Sequence, residues 1–247
     1  MVVSQAMEFI CAANWKMNQD VSSSRQFLVD FFNQVSLQDV ERFMFFPPAL
    51  LSYEFEAHNS KGLLWGAQNF YAENSGAFTG ENSPELYKKL GAKVMLIGHS
   101  ERRSLFAETN AMIKSKIEKC VELGLRPVLC VGETLAERES GQAESVVKQQ
   151  LAEALGEKGP KDLVVAYEPV WAIGTGKVAS VSDVQSMHSY IKTLVGQSTP
   201  ILYGGSVKPE NAGELFALES VNGFLIGGAS LKCESLLSIF SEMKNKL

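Results

Sequence analysis

The sequence is poor in the features that mark several large classes of protein. Four residues are cysteine (Cys11, Cys120, Cys130 and Cys233), and none forms a CxxC pair or a Cys/His spacing that suits zinc. Neither a disulfide scaffold nor a zinc site is expected; free thiols in a reducing cytosol are. No apolar run approaches the ~20 residues needed to span a bilayer. The first residues, MVVSQAMEFICAANWK, lack the basic start and clean apolar stretch of a signal peptide. A soluble, cytoplasmic protein with no membrane partner is therefore expected. Basic charge is scarce as well: the formal net charge is −5 and the pI about 5.4, which gives no electrostatic footprint for nucleic acid. An anionic ligand would have to be attracted locally, against the average field. No GxGxxG follows the first apolar run, so a dinucleotide-binding fold loses its main support.

What the chain does have is alternation. Eight short apolar runs recur: 9–13, 43–46, 63–67, 94–97, 127–131, 163–167, 201–203 and 223–226. They are apolar at consecutive positions, as parallel strands buried on both faces are. Amphipathic stretches separate them. Ile113, Ile117, Cys120 and Val121 share one helical face; Val184, Met187, Ile191, Leu194 and Val195 share another; Leu236, Leu237, Phe240 and Met243 a third. Strict β-α order points to a parallel sheet. Eight units in 247 residues favour closure: an α/β fold, a (β/α)₈ barrel, one domain over 1–247 with residues 1–7 a frayed extension.

In such barrels the chemistry sits where strands run out into the following helices. The distinctive residues fall there. Glu168 follows the sixth run. Desolvation at the barrel mouth would raise its pKa and make it a base toward a carbon acid; a salt-bridged strand end is the alternative. Pro169-Val170-Trp171 is stiff and residues 172–177 carry two glycines, a composition suited either to a closing lid or to a tight turn. His99 ends the fourth run before Ser100-Glu101, a plausible helix start whose N-terminus disfavours imidazolium. A neutral ring there can pass a proton between oxygens, or simply be a buried histidine satisfied by backbone. His58 and His188 read as ordinary surface or core residues. Lys16 lies just beyond the first run, as an oxyanion-stabilising cation, a Schiff-base nucleophile or a solvated lysine. Asn14, two residues earlier, points the same way and would donate to a substrate or orient Lys16. Gly204-Gly205-Ser206 and Gly227-Gly228 expose backbone N–H groups suited to phosphate, with Gly174 a further donor; plain glycine turns are the alternative.

Together these segments resemble the triosephosphate isomerase family. The match lies in AANWKMN (12–18), AQNFYAENSGAFTGE (67–81), IGHSERR (97–103), CVGETLAERESG (130–141), AYEPVWAIGTGK (166–177), YGGSVKPENA (203–212) and GFLIGGASL (223–231). The resemblance implies a TIM barrel that interconverts dihydroxyacetone phosphate and D-glyceraldehyde 3-phosphate through an enediolate, in glycolysis and gluconeogenesis. Glu168 would move the proton, with His99 and Lys16 holding the charge and Asn14 beside them. No metal or organic cofactor is implied. Gly174, Ser206, Gly227 and Gly228 would hold phosphate. Ser100, Glu101, Cys130 and Tyr203 would stand in support. It also implies an obligate homodimer, in which Thr79 of the loop 68–81 contacts Asn14 of the other subunit, Glu81 pairs with Arg102, and Met17 is covered. One departure is mild. Ser180-Val181 replaces the family's usual Ser/Thr-Pro after the lid, so Ser180 can cap the next helix but the preorganising proline is missing.

Overall fold

The computed structural model describes residues 9–157, 159–173 and 179–247, so the expected extension at 1–7 lies outside the described residues. Eight strands run through them: β1 (Ile10–Asn14), β2 (Phe43–Phe46), β3 (Leu64–Ala67), β4 (Val94–Ile97), β5 (Arg126–Val131), β6 (Val164–Tyr167), β7 (Ile201–Tyr203) and β8 (Gly223–Ile226). Each pairs parallel to the next, and β1 also pairs with β8, which closes the barrel. The apolar runs therefore locate every strand to within one residue.

Closure splits each strand into two series, because successive side chains point to opposite faces. The inward series fills the barrel with Ile10, Ala12, Met44, Phe46, Val94, Leu96, Val128, Cys130, Val164, Ala166, Leu202 and Leu225. The outward series, such as Phe43, Phe45, Met95, Leu129 and Val165, packs under the surrounding helices. Aromatic rings bond the first helix, Val21–Gln34, to this layer. Phe31 meets Phe43 edge-on with centroids 4.9 Å apart, and Phe27 meets Trp15 at 5.0 Å. Such pairs add about 1 kcal/mol each beyond the area they bury.

The helices begin and end where the sequence provides caps. Asn110–Leu123 starts on the Thr109 hydroxyl and stops at Gly124, whose φ of 66° is left-handed. Val181–Val195 opens with a reciprocal capping box between Ser180 and Asp183, so the cap survives without the proline. Two residues depart from the expected apolar faces: Val121 is 52% and Leu194 37% exposed. Val121 is the i+1 neighbour of buried Cys120, where a stripe 3.6 residues in period leaves little room, and Leu194 lies in the last turn of its helix after exposed Thr193. The four cysteines are free and buried. No described helix is long and apolar enough to cross a membrane.

His188 lies fully buried on the inner side of Val181–Val195, against the rings of Tyr167 and Tyr203, with Nδ1 3.2 Å from the Ser220 carbonyl. Burial pushes its pKa down to about 4, with Lys192 helping and the Ser220 bond opposing. The folded protein thus holds this ring neutral while the unfolded chain protonates it near 6.5. Stability from this residue is complete above pH 6.5 and is lost as pH falls toward 4, by about 3 kcal/mol in all. Denaturant titrations at pH 7 and pH 4.5 should show that loss, and His188→Gln should remove close to one proton from the pH slope. An unchanged slope would mean that His188 is not the group that titrates.

Candidate active site

The inward series do not stop at the top of the packed interior. Ile10 and Ala12 lead on to Asn14, Val164 and Ala166 to Glu168, Leu202 to Gly204, and Leu225 to Gly227. Apolar side chains give way there to an amide, a carboxylate and two glycines. With Lys16, His99, Ser206 and Gly228 these residues line one cavity of about 280 Å³. The residues expected to be catalytic or to hold phosphate thus line one cavity, except Gly174, which lies outside the described residues; Ser100, Glu101, Cys130 and Tyr203 and the loop residues Met17, Thr79, Glu81 and Arg102 are not in its lining.

Glu168 is buried. Its Oε1 sits 2.9 Å from His99 Nε2, and its Oε2 accepts the Ser100 N–H at 2.9 Å. Room for the side chain comes from Gly204, where a Cβ would lie 2.9 Å from Glu168 Cγ. Burial alone would raise the carboxyl pKa, as expected from sequence. His99, the Ser100 N–H and the Cys130 thiol outweigh burial and hold it below the ordinary range. The expectation of a raised pKa is corrected by three donors that no motif announces.

His99 is the N-cap of the short helix Ser100–Leu105, and its Nδ1 accepts the Glu101 N–H at 3.2 Å. An occupied Nδ1 lone pair leaves the ring proton on Nε2, where it meets Glu168. Burial disfavours a second proton, but the Glu168 carboxylate favours it more and the ring's pKa is raised. The helix N-terminus by itself pointed to a neutral ring; the carboxylate contact works against it. Taking that second proton would cost the bond from Glu101.

Lys16 adopts φ 51°, a left-handed backbone that side chains rarely take. Its N–H donates to Asn14 Oδ1 at 3.0 Å and its carbonyl accepts from Gln68 Nε2 at 2.8 Å. Asn14 therefore orients the lysine, one of the two roles open to it. Lys16 Nζ lies 2.5 Å from Glu101 Oε1.

The glycines line the same cavity, and a Cβ at Gly227 would lie 3.3 Å from Lys16 Cε. Ser206 Oγ donates to the Ala172 carbonyl at 2.9 Å, and Ser230 donates to the Gly227 carbonyl through both N–H and hydroxyl. Tyr203 is buried with its hydroxyl beneath Gly205, where a Cβ would come within 2.1 Å of the oxygen. Ile173, Val207, Lys208, Leu225 and Ala229 also line the cavity and were not among the expected residues. Strand alternation from Gly223 would have found Leu225.

Glu133 is the larger omission. It is fully buried just beyond β5, and its Oε1 accepts from Trp171 Nε1 at 2.8 Å and from the Tyr167 hydroxyl at 3.1 Å. Arg138 reaches the same oxygen at 3.3 Å, covers the Trp171 ring at 4.8 Å, and pairs with Asp183. One arginine thus joins the segment after Glu168 to the start of Val181–Val195. The signal was a charged residue two positions beyond an apolar strand, which sequence alone cannot distinguish from a solvated one.

After β3 the chain runs out without regular structure to Ser83 and is exposed along most of 73–82, with Thr79 and Glu81 on its far part. Gln68 ties its root to the Phe46 carbonyl at 2.8 Å, and Tyr71 stacks near Phe78 at 4.5 Å. Within the chain Arg102 faces Glu108 at 3.5 Å, and among the described residues Glu81 forms no ion pair with it.

A closed parallel barrel with a carboxylate, an imidazole and a lysine converging at its C-terminal mouth defines a class: barrel enzymes that move protons on small substrates. The comparisons with known proteins narrow it. The family model described as triosephosphate isomerase matches residues 9–243. The triosephosphate isomerase of Alkaliphilus metalliredigens is 45% identical over 241 residues, covering 93% of this chain and 97% of its own. That of Bdellovibrio bacteriovorus is 46% identical over 242 residues, covering 95% and 100%. Among solved structures, triosephosphate isomerase from Bartonella henselae superposes with a TM-score of 0.85 at 35% identity, over 96% of this chain and 99% of that one. The chain belongs to the triosephosphate isomerase family.

The Glu168–His99 contact is directly measurable. In Glu168→Gln the carboxylate that raises the His99 pKa is gone and burial remains, so the ring should titrate below the ordinary 6.5. Imidazole ¹⁵N shifts followed against pH would show it; an unmoved titration would break the assigned coupling.

Proposed function

We propose that this chain, as one barrel domain, interconverts dihydroxyacetone phosphate and D-glyceraldehyde 3-phosphate, with Glu168 as the base. One observation carries the reading: in a member of this family, Lys16, His99 and Glu168 line one cavity together with Ser206 and the glycines Gly204, Gly227 and Gly228. Phosphate binds the wall formed by Ser206, Gly227 and Gly228, with Gly174 as a further donor. The carbonyl of the substrate then lies toward His99 and Lys16.

Electrophilic help comes first. The substrate carbonyl oxygen takes the place of Glu168 as acceptor of the His99 Nε2–H. Glu168 is freed from that donor and moves off the Ser100 N–H. Losing both lets burial dominate, so the carboxylate becomes a stronger base as it reaches the substrate. It removes the proton from the carbon beside the carbonyl, and the electron pair moves onto oxygen as an enediolate. Lys16 Nζ, turning from Glu101, stabilises that charge, and His99 transfers a proton between the two oxygens. Glu168 then returns its proton to the neighbouring carbon. The reaction is an internal redistribution of one proton pair and needs no external oxidant or reductant.

A coupled assay starting from D-glyceraldehyde 3-phosphate tests the reaction; folded protein without turnover would end the proposal. Glu168→Asp withdraws the carboxylate by about one methylene and should lower kcat by on the order of 10²-fold, with a smaller change in KM. A retained kcat would remove Glu168 from the base role.

The same reading makes the working form a homodimer. Met17 is 96% and Leu50 92% exposed in the single chain, and Phe78 and Phe106 add further open apolar surface. A second copy, inserting the loop around Thr79 toward Asn14 and Lys16, would cover Met17 and set Glu81 against Arg102. Such a loop buttresses Lys16 from outside the barrel. Thr79→Arg should shift the protein to monomer in sedimentation velocity with a large loss of activity. A fully active monomer would contradict this part.

A further inference from the structure

The charge around the cavity is uneven. Lys16 is already neutralised by Glu101 at 2.5 Å, and Glu168 brings a buried negative charge. The chain as a whole is at −5. A phosphate monoester, close to a dianion at neutral pH, would approach against that field. Among the described residues the lining holds one other lysine, Lys208, which is exposed at the mouth beside Ser206 and makes no ion pair with them. Its backbone is fixed while its side chain is left open. The Lys208 N–H donates to Asn211 Oδ1 at 2.8 Å, Asn211 Nδ2 donates to the Ser206 carbonyl at 3.0 Å, and Pro209 opens the helix Pro209–Phe216 one residue later. The lysine is thus held on the rim of the glycine wall by the same asparagine that braces Ser206.

We infer that Lys208 is a specificity-determining residue that guides the dianionic phosphate end of the substrate into the cavity by long-range attraction. The inference rests on the proposed reaction and adds to it the source of the local positive field. Lys16 takes part in chemistry deep in the cavity; Lys208 acts at the entrance, on capture. Attraction of this kind changes the rate of productive encounter and fades with salt, because the Debye length shrinks from about 30 Å at 0.01 M to about 3 Å at 1 M. A hydrogen bond lost from the bound complex would instead be missed at every ionic strength.

The test compares Lys208→Met, Lys208→Arg and Lys208→Glu with the parent protein over a salt series. Lys208→Met should lose about fivefold in kcat/KM at low ionic strength, with kcat moving less than twofold and the deficit closing toward 1 M salt. Lys208→Glu should lose more and Lys208→Arg should keep the parent's slope. Because the side chain is exposed, thermal melts should coincide, which separates guidance from folding. Binding of phosphoglycolate, a phosphorylated carboxylate probe, measured by calorimetry over the same salt series, gives a readout independent of turnover. If the parent binds the probe but turns over no triose phosphate, the reaction proposed above fails while the role of Lys208 is still decided by the binding slopes. Equal salt slopes for parent and Lys208→Met, in both kcat/KM and probe binding, overturn the inference.

Discussion

Barrel closure is the constraint on which the rest depends. Once β8 pairs with β1, each strand is locked in register, and a residue's parity along its strand decides whether it faces the interior or the helices. Asn14, Glu168, Gly204 and Gly227 are all one step beyond the packed inward series. A single-residue slip in β6 would turn Glu168 toward the helices and bring Tyr167 into the barrel. The candidate site is therefore a property of the whole sheet, although its residues sit at or just beyond the strand ends.

Within that frame Glu168 and His99 form one buried pair at the mouth. Two ionisable groups buried together share protons as a pair. Here each shifts the other toward its charged form, against the burial that favours neutrality. The carboxylate is consequently stabilised on Ser100 and His99; in the proposed reaction a substrate carbonyl competes for the Nε2 proton, which would couple the basicity of Glu168 to occupancy of the cavity. Glu133 and Arg138 extend the same logic outward, fixing Trp171 three residues from the base.

Much of this was legible in the amino-acid sequence because it follows from periodicity. The strands are apolar on both faces, so their positions and their order showed directly, and alternation carried Asn14 and Glu168 to the mouth. His99 read as a helix start because Ser100 and Glu101 follow it. What did not show were relations between distant segments. The Ser100 N–H on Glu168 and Arg138 on Asp183 join residues whose separation in the chain carries no pattern. The sign of the Glu168 shift depended on those contacts. Val121 and Leu194 show the complementary limit, since a helical stripe names a face more surely than its edges.

Lys16 has both backbone groups engaged, by Asn14 and by Gln68, in a conformation that glycine would adopt without penalty. The conformational strain is on the order of 1 kcal/mol, and it falls on the lysine that the proposed reaction uses. Selection for stability and selection for turnover therefore pull in opposite directions at one position. A search for more heat-resistant variants scored on folding alone would drift toward glycine here and return a sturdier barrel without the cation on which the proposed reaction relies.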